Sequence, residues 1–190
     1  MKEFLSDYLS ELNYCLGSIN SDKLAEVRDI LLTARDDGRT IFVIGNGGSA
    51  STASHVSNDW SKGVLGHTGE KNIKRFRVIS LTDNVATMTA WANDTSFDDI
   101  FSQQLENLVQ EGDVLLAISA SGNSKNILNA LNVAEKHGAM IVGLAGFDGG
   151  ELAKRSKVCI TAEIKKYDVA EDFHMIVTHM LTRWFYENLK

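Results

Sequence analysis

The chain reads as an α/β protein, a three-layer sandwich around a mostly parallel sheet of five strands. Three observations predict this. Short apolar runs alternate with helix-periodic segments along most of the 190 residues. Two of the runs end in loops of small residues that lead into helices, Gly45-Asn46-Gly47-Gly48-Ser49 and Ser119-Ala120-Ser121-Gly122-Asn123-Ser124. Two helical segments precede the first strand. Sheets of this kind bind ligands at the carboxyl ends of their strands, near a switch in strand order, and both loops fall on that edge.

The elements follow in order. Phe4, Leu5, Tyr8, Leu9, Leu12, Cys15 and Leu16 recur at helical spacing, as do Leu24, Val27, Ile30, Leu31 and Ala34. Ser21 is placed to cap the second helix and Gly38 to end it. Residues 41–44 are the first strand, and a helix of small residues carries His55 and Asp59 after it. Residues 62–74 are polar and contain glycine, which predicts a surface loop. Residues 76–81 form the second strand, and 85–91 and 97–109 are helical, joined through Asn93-Asp94. Val114–Ser119 is the third strand, and a helix runs on to Lys136. Residues 140–145 and Val158–Ala162 are the fourth and fifth strands, and a long helix covers 169–189.

The totals narrow the function classes. A chain of this length suits one domain with its own core. A net charge of −6 and the lack of a basic cluster argue against nucleic acid and anionic membrane as partners. Cys15 and Cys159 are too few for a disulfide framework or a cysteine-rich metal site. There is no apolar run long enough to span a membrane, and the acidic amphipathic start MKEFLSDYLSEL is unlike a signal peptide. A cytoplasmic location is expected.

The chemistry concentrates in three places. The glycine loop brings backbone N–H groups and a helix N-terminus close to an anion. It also fits the dinucleotide pattern G-x-G-x-x-A, but the acidic partner expected about 20 residues on has no good match, since Asp83 comes late. No G-K-[ST] follows, which argues against a nucleoside triphosphate. The serine loop offers three hydroxyls beside Gly122 and Asn123, suited to phosphate oxygens, although Ser124 alone would serve as a helix cap. The last helix carries Glu171, His174 and His179, with an apolar stripe of Val169, Phe173, Ile176, Val177, Met180 and Trp184. Asp168 and Glu171 are spaced as a capping box. His55 and Asp59, four residues apart, share one helical face. Together with Glu171 and His179 they make either a ligand set for zinc or a similar ion, or acid and base groups for moving a proton beside a carbonyl.

The GNGGSA…H…D segment, the ISASGNS loop and the terminal E…H helix resemble the SIS (sugar isomerase) family, and within it the phosphoheptose isomerases. The likeness extends over the leading helices, ANDTSFDDIF, EGDVLL and the GFDGG segment. It implies a flavodoxin-like SIS domain over 1–190, with residues 1–37 serving oligomerisation, in a cytoplasmic homotetramer. It implies interconversion of sedoheptulose 7-phosphate and a manno-heptose 7-phosphate through an enediol, with zinc. Carried over, Asn46, Gly47, Gly48 and Ser49 line the sugar-phosphate site, and Asn93 and Asp94 hold sugar hydroxyls. Ser119, Ala120, Ser121 and Ser124 grip the phosphate, with Asp168 and Glu171 also on the substrate. His55, Asp59, Glu171 and His179 are the metal ligands, and Asp59 and His179 the catalytic pair. Asp59 stands where the family usually has glutamate, and Glu171 where it has glutamine. Lys62 is the nearest substitute for a family arginine. The competing class is a non-catalytic SIS protein that binds a phosphosugar or a replication initiator; both histidines with two carboxylates favour the enzyme.

Overall fold

The computed structural model describes residues 1–66 and 72–189. Five strands form one sheet in the order β2-β1-β3-β4-β5. They are β1 (Thr40–Gly45), β2 (Arg77–Ser80), β3 (Val114–Ser119), β4 (Met140–Gly146) and β5 (Val158–Ala162), and every pairing is parallel. The order reverses between β1 and β3, and the glycine and serine loops leave those two strands side by side.

Apolar residues fill both faces, which explains why the inner strands read as continuous rather than alternating runs. Ile41 and Val43 point into one core, with α1 (Lys2–Gly17), α2 (Ser21–Asp36), α3 (Gly48–Ser61) and α8 (Tyr167–Asn188). Phe42 and Ile44 point into the other, with α4 (Val85–Asp94), α5 (Ser102–Leu108), α6 (Lys125–Lys136) and α7 (Gly150–Arg155). That division puts α3 and α8 on the same face.

Several local expectations are corrected. Asn20, not Ser21, caps α2, its side chain accepting from the Asp22 and Lys23 N–H groups. The predicted helix over 97–109 is broken into a short turn, Phe97–Asp99, and α5. The segment 62–74 is not wholly at the surface: Val64 and Leu65 are buried in a short turn. Residues 67–71 of that segment lie outside the described residues. The helix α7 had no counterpart in the sequence reading. On α8 the buried stripe is rotated: Met180 is exposed, whereas His174, Leu181 and Phe185 are in the core.

Candidate active site

Helices α3 and α8 pack side by side and run in the same direction. Gly48 meets Glu171 near their first turns, and His55 meets His179 further on. The sequence intervals, 48 to 55 and 171 to 179, correspond to about 10 and 12 Å of helix rise, so the contacts stay in step. A Cβ at position 48 would collide with the Glu171 carboxylate, and the absence of a side chain there allows the approach. Beyond the histidines, buried Trp60 donates its Nε1–H to Thr182 Oγ1 at 3.0 Å and stands edge-on to Phe185, ring centroids 5.9 Å apart. An aromatic pair of this kind contributes about 0.5–1.5 kcal/mol beyond its burial, and this one fixes the register of the two helices.

His55 Nε2 lies 3.0 Å from His179 Nε2. Asp59 Oδ2 lies 3.3 Å from the first nitrogen and 3.8 Å from the second. One ligand atom from each residue falls within 4.8 Å of the others. Two imidazole N–H groups cannot face each other at that separation. Either one ring donates to the other's lone pair, or both lone pairs converge on a cation. Two nitrogens on a tetrahedral zinc, each at about 2.0–2.1 Å, stand about 3.3 Å apart. The trio therefore fits such an ion with little movement, and three protein ligands leave a coordination position open.

Glu171, expected as the fourth ligand, is outside the trio. The eight-residue rise from 171 to 179 leaves its carboxylate at the other end of the α3–α8 contact, packed over Gly48. Partial burial, then Asp172 and Asp168, push its pKa above the usual carboxylate range. There it forms one wall of a cleft of about 110 Å³.

Asn46 and Ser49 from the glycine loop line that cleft, with Ser119, Ala120, Ser121 and Ser124 from the serine loop. Gly47 has φ +55° and turns the chain into α3, whose N-terminal N–H groups follow. Ser124 is the N-cap of α6 but makes no side-chain capping bond, so its hydroxyl is not spent on the helix. Asn46 and buried Asn126 exchange two amide hydrogen bonds, at 2.9 and 2.8 Å, and tie the two loops together. No lysine or arginine lines the cleft among the described residues. Larger hollows exist, one of about 490 Å³ beside His179 and one of about 460 Å³ at the opposite edge of the sheet. The small cleft, not either of these, has convergent hydroxyls.

The remaining expected residues lie apart. Asn93 and Asp94 bond to each other at 2.8 Å on the exposed end of α4, and no hydrogen bond or ion pair joins them to the cleft among the described residues. Asp168 is exposed and accepts from the Val169 N–H; the capping box does not form, because Lys166 is the N-cap and Glu171 turns to Gly48. Buried His174 bonds Ala145 O through Nε2 and takes no part in the trio. Asn126, Trp60 and Tyr167 were not singled out from sequence. Asn126 follows the serine loop by two residues, the one sequence signal that places it there.

The fold and the two loops define an α/β domain with a cleft at the carboxyl edge of its sheet, and the chain belongs to the SIS domain family, whose model matches residues 7–146. Its relatives are more specific. A phosphoheptose isomerase from Geotalea daltonii is 37% identical over 168 residues, 87% of this chain and 84% of that protein. A probable phosphoheptose isomerase from Thermoplasma acidophilum is 33% identical over 174 residues, 92% of this chain and 93% of that protein. The structure of phosphoheptose isomerase GmhA from Neisseria gonorrhoeae shares the fold with a TM-score of 0.86 at 24% identity, covering 97% of this chain and 95% of that one. Within the SIS family the chain belongs with the phosphoheptose isomerases.

Proposed function

We propose that the protein is a phosphosugar isomerase that interconverts sedoheptulose 7-phosphate and a D-glycero-D-manno-heptose 7-phosphate. The observation that carries the reading is the pairing of the serine-lined cleft with the His55–Asp59–His179 trio at opposite ends of one helix contact. The separation, about 12 Å along α8 from Glu171 to His179, suits an extended sugar chain with its phosphate in the cleft and its carbonyl at the imidazoles.

In this reading Ser119, Ser121 and Ser124 donate to the phosphate, and the N–H groups at the start of α3 complete the cradle. Asp59 takes the proton from the hydroxyl-bearing carbon beside the aldose carbonyl, and the electron pair forms the carbon–carbon double bond of an enediol. His179 protonates the former carbonyl oxygen. The second hydroxyl then gives its proton to His179, which restores it, and Asp59 returns its own to the first carbon, which yields the ketose. When an ion is bound instead, His55, Asp59 and His179 would hold it, and it would supply polarisation of the substrate oxygens in place of the His179 proton. Asp59 turns Oδ2 to the imidazoles and Oδ1 toward Asn58 Nδ2, so one oxygen faces the ion site while the other points away from it.

Assembly is part of the proposal. Phe4, Leu5 and Leu9 are exposed on α1, and α4 has no buried residue. Both surfaces are suited to contact with further copies of the chain in a homotetramer. A cytoplasmic location belongs to the same proposal; no helix among the described residues is long and apolar enough to cross a membrane. The function is tested by giving the purified protein sedoheptulose 7-phosphate and following the sugar by NMR. Growth of an aldose signal supports the assignment, and an unchanged ketose removes it.

A further inference from the structure

Phe147 has φ +58° and is the non-glycine residue with positive φ among the described residues. A bulky side chain rarely adopts this backbone conformation, and where it persists its surroundings enforce it. Phe147 follows β4 on the carboxyl edge of the sheet and donates its N–H to Ile164 O at 3.2 Å. Its ring meets Tyr167 edge to face, centroids 5.0 Å apart at 73°. Tyr167 is exposed, yet it lines the same cleft as Ser119, Ser121 and Ser124. Its hydroxyl makes no hydrogen bond within the described residues. Phe147 thus packs its ring on a tyrosine that lines the cleft and keeps a free phenolic donor.

The cleft needs such a donor. It has no cationic side chain among the described residues, and Glu171 brings a carboxylate to its wall. A neutral O–H adds a hydrogen bond to a phosphate oxygen without the desolvation cost of another charge. We infer that Tyr167 is a substrate-binding residue whose phenolic O–H donates to the phosphate, and that Phe147 is the positioning residue that holds its ring there. This rests on the reading of the cleft as the phosphate site.

The test is calorimetric titration of the full chain with inorganic phosphate, alongside melting curves, for the wild type, Ser121→Ala, Tyr167→Phe, Phe147→Gly and the Phe147→Gly/Tyr167→Phe pair. Tyr167→Phe keeps the ring and loses only the donor, so phosphate affinity should fall about five- to twenty-fold with the melting temperature unchanged. Phe147→Gly places the residue that accepts positive φ most readily. It should bind phosphate as weakly as Tyr167→Phe without a matching loss of thermal stability, and the double variant should be no weaker than either single one. Wild-type affinity in Tyr167→Phe, with binding lost in Ser121→Ala, overturns the role of Tyr167 and leaves the cleft reading standing. Wild-type affinity in Phe147→Gly, with Tyr167→Phe weakened, overturns the role of Phe147. A wild-type chain that takes no phosphate overturns the cleft reading and this inference with it.

Discussion

His55 and His179 stand Nε2 to Nε2 at 3.0 Å, although 124 residues separate them in the chain. Neither helix makes an ion site alone: α3 brings one imidazole and a carboxylate, and α8 brings the second imidazole. The pairing depends on the close approach at Gly48 and on the Trp60–Thr182 bond beyond it.

Purified protein should carry roughly one divalent ion per chain, held by the three convergent ligands. Metal content measured by mass spectrometry should drop to background in His179→Ala and in His55→Ala, whereas Glu171→Gln should keep the ion, since Glu171 lies outside the trio. A wild-type chain that takes up no zinc from supplemented buffer would leave Asp59 and His179 as a metal-free acid–base pair.

The serine loop makes a separate demand. Ser121→Ala and Ser124→Ala should each weaken sugar-phosphate binding by roughly 1–3 kcal/mol, the worth of a hydrogen bond to a charged group. Binding constants that stay unchanged in both variants would take this loop out of the phosphate site.

The fold was legible because it rests on local pattern. Runs such as Val114–Ser119 are apolar throughout since both sides of the strand are covered, and small-residue loops after two of them mark the ligand edge. His55 and Asp59 were legible as a pair because i and i+4 share a helical face. The meeting of α3 with α8 was not, because it depends on packing between elements far apart in sequence. The neighbour of Glu171 was not legible for the same reason: helical spacing gives its direction but not its contact with Gly48. Tyr167 was missed because a tyrosine at the start of a helix has no pattern that sets it apart. Val64 and Leu65 were missed because two apolar residues among polar ones give no period.

His174 gives the fold an acid limit. It is fully buried, and burial pushes its pKa down to about 4. An unfolded histidine takes up a proton near pH 6.5, so between there and about pH 4 the unfolded state binds more protons than the folded one. Stability should therefore fall as pH drops through this window, by on the order of 3 kcal/mol from this residue. Urea melts of the wild type and His174→Gln from pH 7 to 4.5 check this. The variant should show a flatter slope, and parallel curves would show that His174 is not the group responsible.

Light scattering at micromolar concentration should return a mass of about four chains, in keeping with the exposed Phe4, Leu5 and Leu9 on α1. Charged replacements at Leu5 and Leu9 should lower it. A monomeric mass for the wild type would exclude the assembly.

The proposed role of Asp59, moving a proton between neighbouring carbons of a heptose phosphate beside the two imidazoles, is tested by one comparison. The rate of sedoheptulose 7-phosphate conversion is measured by NMR for the wild type and for Asp59→Asn, with sugar-phosphate affinity measured alongside. The wild type should form the aldose, and the variant should be slower by about a hundred- to ten-thousand-fold with its sugar-phosphate binding retained. Conversion by Asp59→Asn at the wild-type rate would contradict this role.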